Sequence, residues 1–269
     1  MFDSGIEFCY LPSPQQGALM DQQQPSAAAQ VPVTSLMTRA TNVFASPGEV
    51  FTELHDAPVQ TTSWLIPFII LILLAIVSTY SVYTNTTLRQ QVNDMQEQGY
   101  RKAVAQGKMT QEQADQMTER MENSGPVMFM IFGSGFQIIV ISAMLFLGTL
   151  VYWLAAKVIM KFPGPYSKVL ELFGVALWIG VLGTVITLIM INLLNSLVAT
   201  PGGGLFLIGS FDPTNKAHKL LAALNVFTLW QTGIIGYGLS KISGKSSGTG
   251  IGISYGLWAV WTIISALVF

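Results

Sequence analysis

Apolar positions along the chain gather into five stretches, at residues 64–83, 126–157, 172–198, 220–239 and 251–269, with polar segments between them. About 20 helical residues at 1.5 Å each cross a hydrocarbon layer roughly 30 Å thick. The pattern therefore predicts an all-α polytopic membrane protein with about five transmembrane helices. Trp64 and Tyr83 bracket the first stretch as interfacial aromatic residues do. The second is too long for one straight crossing, so Gly133-Ser134-Gly135 predicts a kink or a tilted, projecting helix. Five crossings put the two ends of the chain on opposite sides.

The polar segments carry patterns of their own. Residues 84–125 continue a narrow helical stripe through Leu88, Val92 and Met95, break at Gly107, and resume after Thr110 and Gln113. That predicts an extramembrane helical hairpin. Ahead of the first span, Leu36, Ala40, Val43 and Phe44 fall at helical spacing. Ser46-Pro47-Gly48-Glu49 then has the form of a capping box with proline at the first helical position. Val50, Phe51 and Leu54 form a second apolar stripe. These spacings predict two short amphipathic helices at 35–63, lying along the membrane surface. Residues 1–34, rich in Gln, Pro, Ser and Ala, are expected to form a disordered polar tail. The expected organisation is thus tail 1–34, interfacial helices 35–63, and a membrane domain 64–269 carrying the hairpin 84–125.

Composition sharpens the class. Charged residues are only 10% of the chain and hydrophobic ones 51%, whereas soluble domains are about one quarter charged. A formal charge of −1 gives no reason to expect a nucleic-acid partner. Cys9 is the sole cysteine, which leaves no intramolecular disulfide and no thiolate metal site. Asp3 and Glu7 stand where a cleaved signal peptide needs Lys or Arg. The short, nearly acid-free turns at 157–168 and 241–245 carry Lys157, Lys161, Lys168, Lys241 and Lys245, which favours a cytoplasmic N-terminus.

Candidate chemistry is sparse. Gly244-Lys245-Ser246 has Leu239 where a phosphate-binding loop needs glycine. Gly248, Gly252 and Gly256 repeat every fourth residue and predict a helix face that another helix approaches closely; Ala176, Gly180 and Thr184 form a similar stripe. Gln137, Asn192, Asn195, Asn225 and Gln231 fall in or near spans. Two readings are open for them, a polar path for a solute or hydrogen bonding between helices at about 0.6 kcal/mol each. His55 and His218 are in no metal-ligand pattern, and no acid, Arg or His is expected mid-span, where ion coupling would need one. No catalytic, cofactor-binding or metal-binding residue is predicted.

The chain resembles the Yip1 domain family over about residues 40 to 269. The resemblance rests on Phe44-Ala-Ser-Pro-Gly-Glu-Val-Phe51 before a proline-containing span and on Leu170-Glu-Leu-Phe-Gly-Val-Ala-Leu177 after a basic turn. It rests also on Asn225-Val-Phe-Thr-Leu-Trp-Gln231 followed by Gly236-Tyr-Gly-Leu-Ser240. Similar sequences with a polar insertion after the first span are typical of bacterial inner-membrane proteins. Eukaryotic relatives bind Rab-type GTPases, but their Asp-Leu-Tyr-Gly-Pro signature is missing, and Lys161-Phe-Pro-Gly-Pro-Tyr166 does not replace it, so GTPase binding is not carried over. The expectation is a non-enzymatic membrane protein that organises lipid or protein partners, a second copy of itself included, through helix packing. A channel or carrier for a small solute is the alternative.

Overall fold

The computed structural model describes Met1, residues 34–122 and residues 125–268. The expected tail therefore lies almost wholly outside the described residues. The chain divides into Met1–Pro32 and Val33–Phe269, and all the elements below belong to the second unit.

Two short helices lead in, α1 (Leu36–Ala45) and α2 (Pro47–Asp56). Ser35 caps α1 by accepting from the Thr38 N–H, whereas Ser46 makes no side-chain cap on α2. The first long helix is α3 (Thr62–Thr84), followed by the polar α4 (Thr86–Ala105) and α5 (Gln111–Glu122). Between α4 and α5, Thr110 and Gln113 exchange reciprocal side-chain hydrogen bonds of 3.0 and 3.2 Å, a formed capping box. Next come α6 (Pro126–Ala155), extended by a π-helical turn to Met160, and α7 (Tyr166–Leu194). After a 3₁₀ turn at Gly203–Leu207 come α8 (Lys216–Ala223), α9 (Val226–Ser243) and α10 (Ser247–Val268). With the π turn, α6 is one unbroken apolar helix of 35 residues, about 52 Å long. The helical structure runs through Gly133 without a break. A methyl group there would lie 2.8 Å from Thr79 Cγ2, so Gly133 serves close packing on α3.

Among the described residues, four helices are long and apolar enough to cross a membrane: Thr62–Thr84, Pro126–Met160, Tyr166–Leu194 and Ser247–Leu267. The stretch expected to cross at 220–239 is instead broken at Leu224-Asn225 into α8 and α9. Helix register shows why. Gln60 meets Glu171, Ser81 meets Asn192 and Asn85 meets Asn195, so α3 and α7 run parallel and end together. Gly180 faces Gln231 and Gly183 faces Phe227, so α9 runs antiparallel to α7. Continuing that register puts Asn225 roughly nine residues, or about 13 Å, short of the end of α7. The segment 195–225 fills the missing depth. Irregular backbone at such depth has to be satisfied within the protein. Here Gly203 N–H donates to the Leu224 carbonyl (2.8 Å) and Val226 N–H to the Pro201 carbonyl (2.9 Å).

Only glycine fits this seam. A Cβ on Gly203 would stand 2.0 Å from the Leu221 carbonyl oxygen, and Gly202 has φ +157° against the Leu224 carbonyl. α9 packs against α7, α10 and α2, while Val226 and Trp230 near its start stay exposed. The side of α9 that faces protein accommodates polar groups, and Thr232 and Ser240 are buried there.

Gly203→Ala is expected to destabilise the fold by roughly 1–3 kcal/mol through overpacking. Gly135→Ala, with no atom within 4 Å of the new methyl group, is expected to be neutral or slightly stabilising. Thermal unfolding in mild detergent compares the two, and equal melting temperatures would refute the seam.

Candidate functional site

The stripes expected to pack helices go to two different places. On α7, Ala176 is fully buried. A methyl on Gly180 would meet Gln231 at 2.9 Å, and one on Gly174 would meet the Trp64 backbone at 2.2 Å. The other stripe behaves differently within the chain. Gly248, Gly252 and Gly256 have nothing within 4 Å, and the close approach of α10 to α9 runs through Gly250. The expectation that the four-residue repeat marks the packed face therefore fails inside this chain. Gly250 N–H donates to Ser240 Oγ (3.0 Å), and Ser254 Oγ donates to the Thr232 carbonyl (2.6 Å). Those two hydrogen bonds turn α10 by its serine face, and the glycine repeat points outward.

The polar residues of the spans are engaged between helices. Gln137 donates to Thr79 Oγ1 at 2.9 Å, joining α6 to α3. Asn192 accepts from Ser81 Oγ at 2.7 Å, joining α7 to α3. Asn195 ends α7 in the left-handed conformation (φ +48°) and accepts from Asn85 Nδ2 and, through its carbonyl, from Gln91 Nε2, both at 2.8 Å. Asn225 caps α9, accepting from the Phe227 and Thr228 N–H groups. Gln231 lies against Gly180. Asn192 and Asn195 thus serve the contact of α7 with α3 and the base of α4.

At the opposite end stands a cluster that sequence reasoning missed. Glu171, in the first turns of α7, and Arg39 of α1 have fully buried side chains and pair at 2.9 Å. Arg39 also pairs with Glu53 of α2 at 2.7 Å and donates to Ser63 Oγ at 2.8 Å. Glu171 accepts further from the Gln60 N–H (3.1 Å) and from Lys168 Nζ (3.1 Å), and Lys168 in turn donates to the Ala57 carbonyl (2.8 Å). Two cations and two carboxylates thus close a neutral network linking α1, α2, α3 and α7. Burial by itself would raise the Glu53 carboxyl, but hydrogen bonds from Thr34 and Arg39 and the Arg39 charge outweigh it and hold its pKa below the ordinary value. Next to the network, the apolar stripes of α1 and α2 supply Val43, Val50, Phe51 and Leu54 to the core, packed with Leu172 and Leu239. Phe51 reaches Gly238, where a Cβ would be 2.8 Å away. The apolar faces of both short helices therefore meet protein. The signal available in sequence was the pair Lys168 and Glu171 at i, i+3 directly before an apolar run.

These features define a helical membrane domain in which a two-helix N-terminal clasp closes one end. The Yip1 domain family model matches residues 41–269, and the chain belongs to the Yip1 domain family. It is a multi-pass membrane protein. Searches of curated proteins and of solved structures each found no significant match.

Removing one partner of a buried pair strands a charge and typically costs about 3–5 kcal/mol. Arg39→Ala is expected to lose that much, because Glu53 loses its cation and Glu171 is left with Lys168 alone. Arg101→Ala breaks only the exposed pair with Glu97 and should cost under about 1 kcal/mol. Chemical denaturation in detergent measures both, and an Arg39→Ala protein as stable as the parent would contradict the network's role.

Proposed function

We propose that this protein is a non-enzymatic organiser of the membrane, working by packing against other membrane helices. The observation that supports this over a solute path is the engagement of Asn192 and Asn195, the side chains best spaced to line one, in hydrogen bonds to α3 and α4. The surface available to a partner includes the outward glycine repeat of α10, where backbones can approach closely. A second copy of the chain is one candidate for that partner, and the reading needs neither nucleic acid, cofactor nor a GTPase.

Two substitutions separate folding from partnership. Gly250→Leu drives a side chain into the Gly236 carbonyl, 2.2 Å from the new Cβ, and is expected to abolish folded protein. Gly252→Leu has open space and should yield monodisperse chain that has lost its co-purifying partner or its oligomer. Vesicles reconstituted with the parent should show no flux of small polar solutes above empty vesicles. Flux that Asn192→Leu removes would replace this reading with a carrier.

We further propose a bacterial inner-membrane location with the N-terminus in the cytoplasm, on the strength of the basic turns at 157–168 and 241–245. A membrane-impermeant maleimide should leave Cys9 unmodified in intact cells and label a cysteine placed by Gln113→Cys. The reverse pattern would invert the topology.

A further inference from the structure

At the far end of the bundle from the clasp, the start of α4 stands over the chain that leaves α7. Between them is a cleft of about 390 Å³, within the range of small-ligand sites. Its apolar lining includes Met95, Leu197, Val198 and Phe211, and its edge includes Leu194 and Ile208. Leu194 and Ile208 are exposed, as are their chain neighbours Leu193 and Phe206. Since α3 and α7 end here, this edge lies where the apolar spans give way to polar chain. Gln91 keeps the floor rigid, accepting from Leu197 N–H (3.0 Å) while donating to the Asn195 carbonyl (2.8 Å).

Charge is arranged along the same cleft. Asp94 and Gln98 line it from α4. Lys102 lies one turn beyond Gln98 on that face, and Lys219 of α8 is within electrostatic reach of it. Burial depresses the Lys219 pKa first, the Lys102 charge depresses it further and the Lys216 charge adds to this, while Asp212 opposes them. Lys102, Lys216 and Lys219 outnumber Asp212 there, and the excess positive charge attracts an anion. Asp94 and Lys102 are separated by two turns, about 12 Å, enough for a headgroup carrying an ammonium and a phosphate with a contact at each end.

We propose that this cleft seats one phospholipid with a primary-ammonium headgroup, its ammonium on Asp94, its phosphate between Lys102 and Lys219, and an acyl chain leaving over Leu194 and Ile208. An anionic glycerol headgroup meets the lysines but sets nothing against Asp94. A soluble phosphoethanolamine matches both charges but leaves the apolar lining unused.

The test is lipid binding by the full chain, delipidated in mild detergent and titrated with defined lipids under native mass spectrometry. Phosphatidylethanolamine should bind several-fold tighter than phosphatidylglycerol, and free O-phosphoethanolamine should bind much more weakly than either. Lys102→Gln with Lys219→Gln should weaken phosphatidylethanolamine about tenfold or more. Asp94→Asn should erase the preference over phosphatidylglycerol. Met95→Trp fills the cleft without touching a charge and should block the lipid in chain that elutes as the parent does. Unchanged binding in Met95→Trp or in the lysine double variant overturns the proposal. So does a preference for phosphatidylglycerol, or free headgroup binding as tight as the lipid's.

Discussion

The carboxylate of Glu171 is shut away from water and must obtain its hydrogen bonds from the protein. It draws them from Arg39, the Gln60 backbone, Ser63 and Lys168. Leaving any of these donors out strands charge in a medium that penalises it heavily, so the lead-in chain, the start of α3 and the start of α7 are held to one arrangement. The parallel register of α3 with α7 begins at this point and carries through to Asn85 and Asn195 at the other end. Arg39 suits the centre because its planar fork serves two carboxylates and a hydroxyl at once, which a lysine's point charge does not do with fixed geometry.

Packing in the rest of the domain is set by where bulk is missing. Hydrophobic burial gives little reason for helices to associate once they are in lipid. Contact then depends on close backbone approach and on short hydrogen bonds between helices. The α9–α10 pair combines both, with Gly236 against Gly250 and serine hydroxyls reaching across at Ser240 and Ser254. By contrast α6 has only 11% of its apolar window buried; it meets α3 through Gly133, Gln137 and Phe146, and α7 and α10 through Tyr152, and much of its remaining surface faces outward.

Much of this was legible in the sequence. The apolar runs located α3, α6, α7 and α10, and the Ser-Pro-Gly-Glu segment located the corner between α1 and α2. Two things were hidden. Glu171 and Arg39 each stand beside an apolar run, where charges usually sit at the membrane interface, and 132 residues separate them, so nothing local marks them as a pair. The repeat Gly248, Gly252, Gly256 was visible, but glycine spacing gives a face without saying what covers it. The covered face was decided by Gly250 and Ser254, whose hydrogen bonds no spacing rule weighs. The fourth apolar run misled for a related reason. Its length fitted a crossing, yet Asn225 caps a new helix near its start.

That break bears on how the chain is made. Taken by itself, α9 is short and carries polar groups that lipid rejects, so it is a poor substrate for the translocation machinery when it emerges from the ribosome. Its stable place exists only once α7 offers Gly180 and Gly183 and α10 offers Gly250 and Ser254. The segment that follows α9 is thus needed to settle it, so completion of the bundle waits on the synthesis of α10.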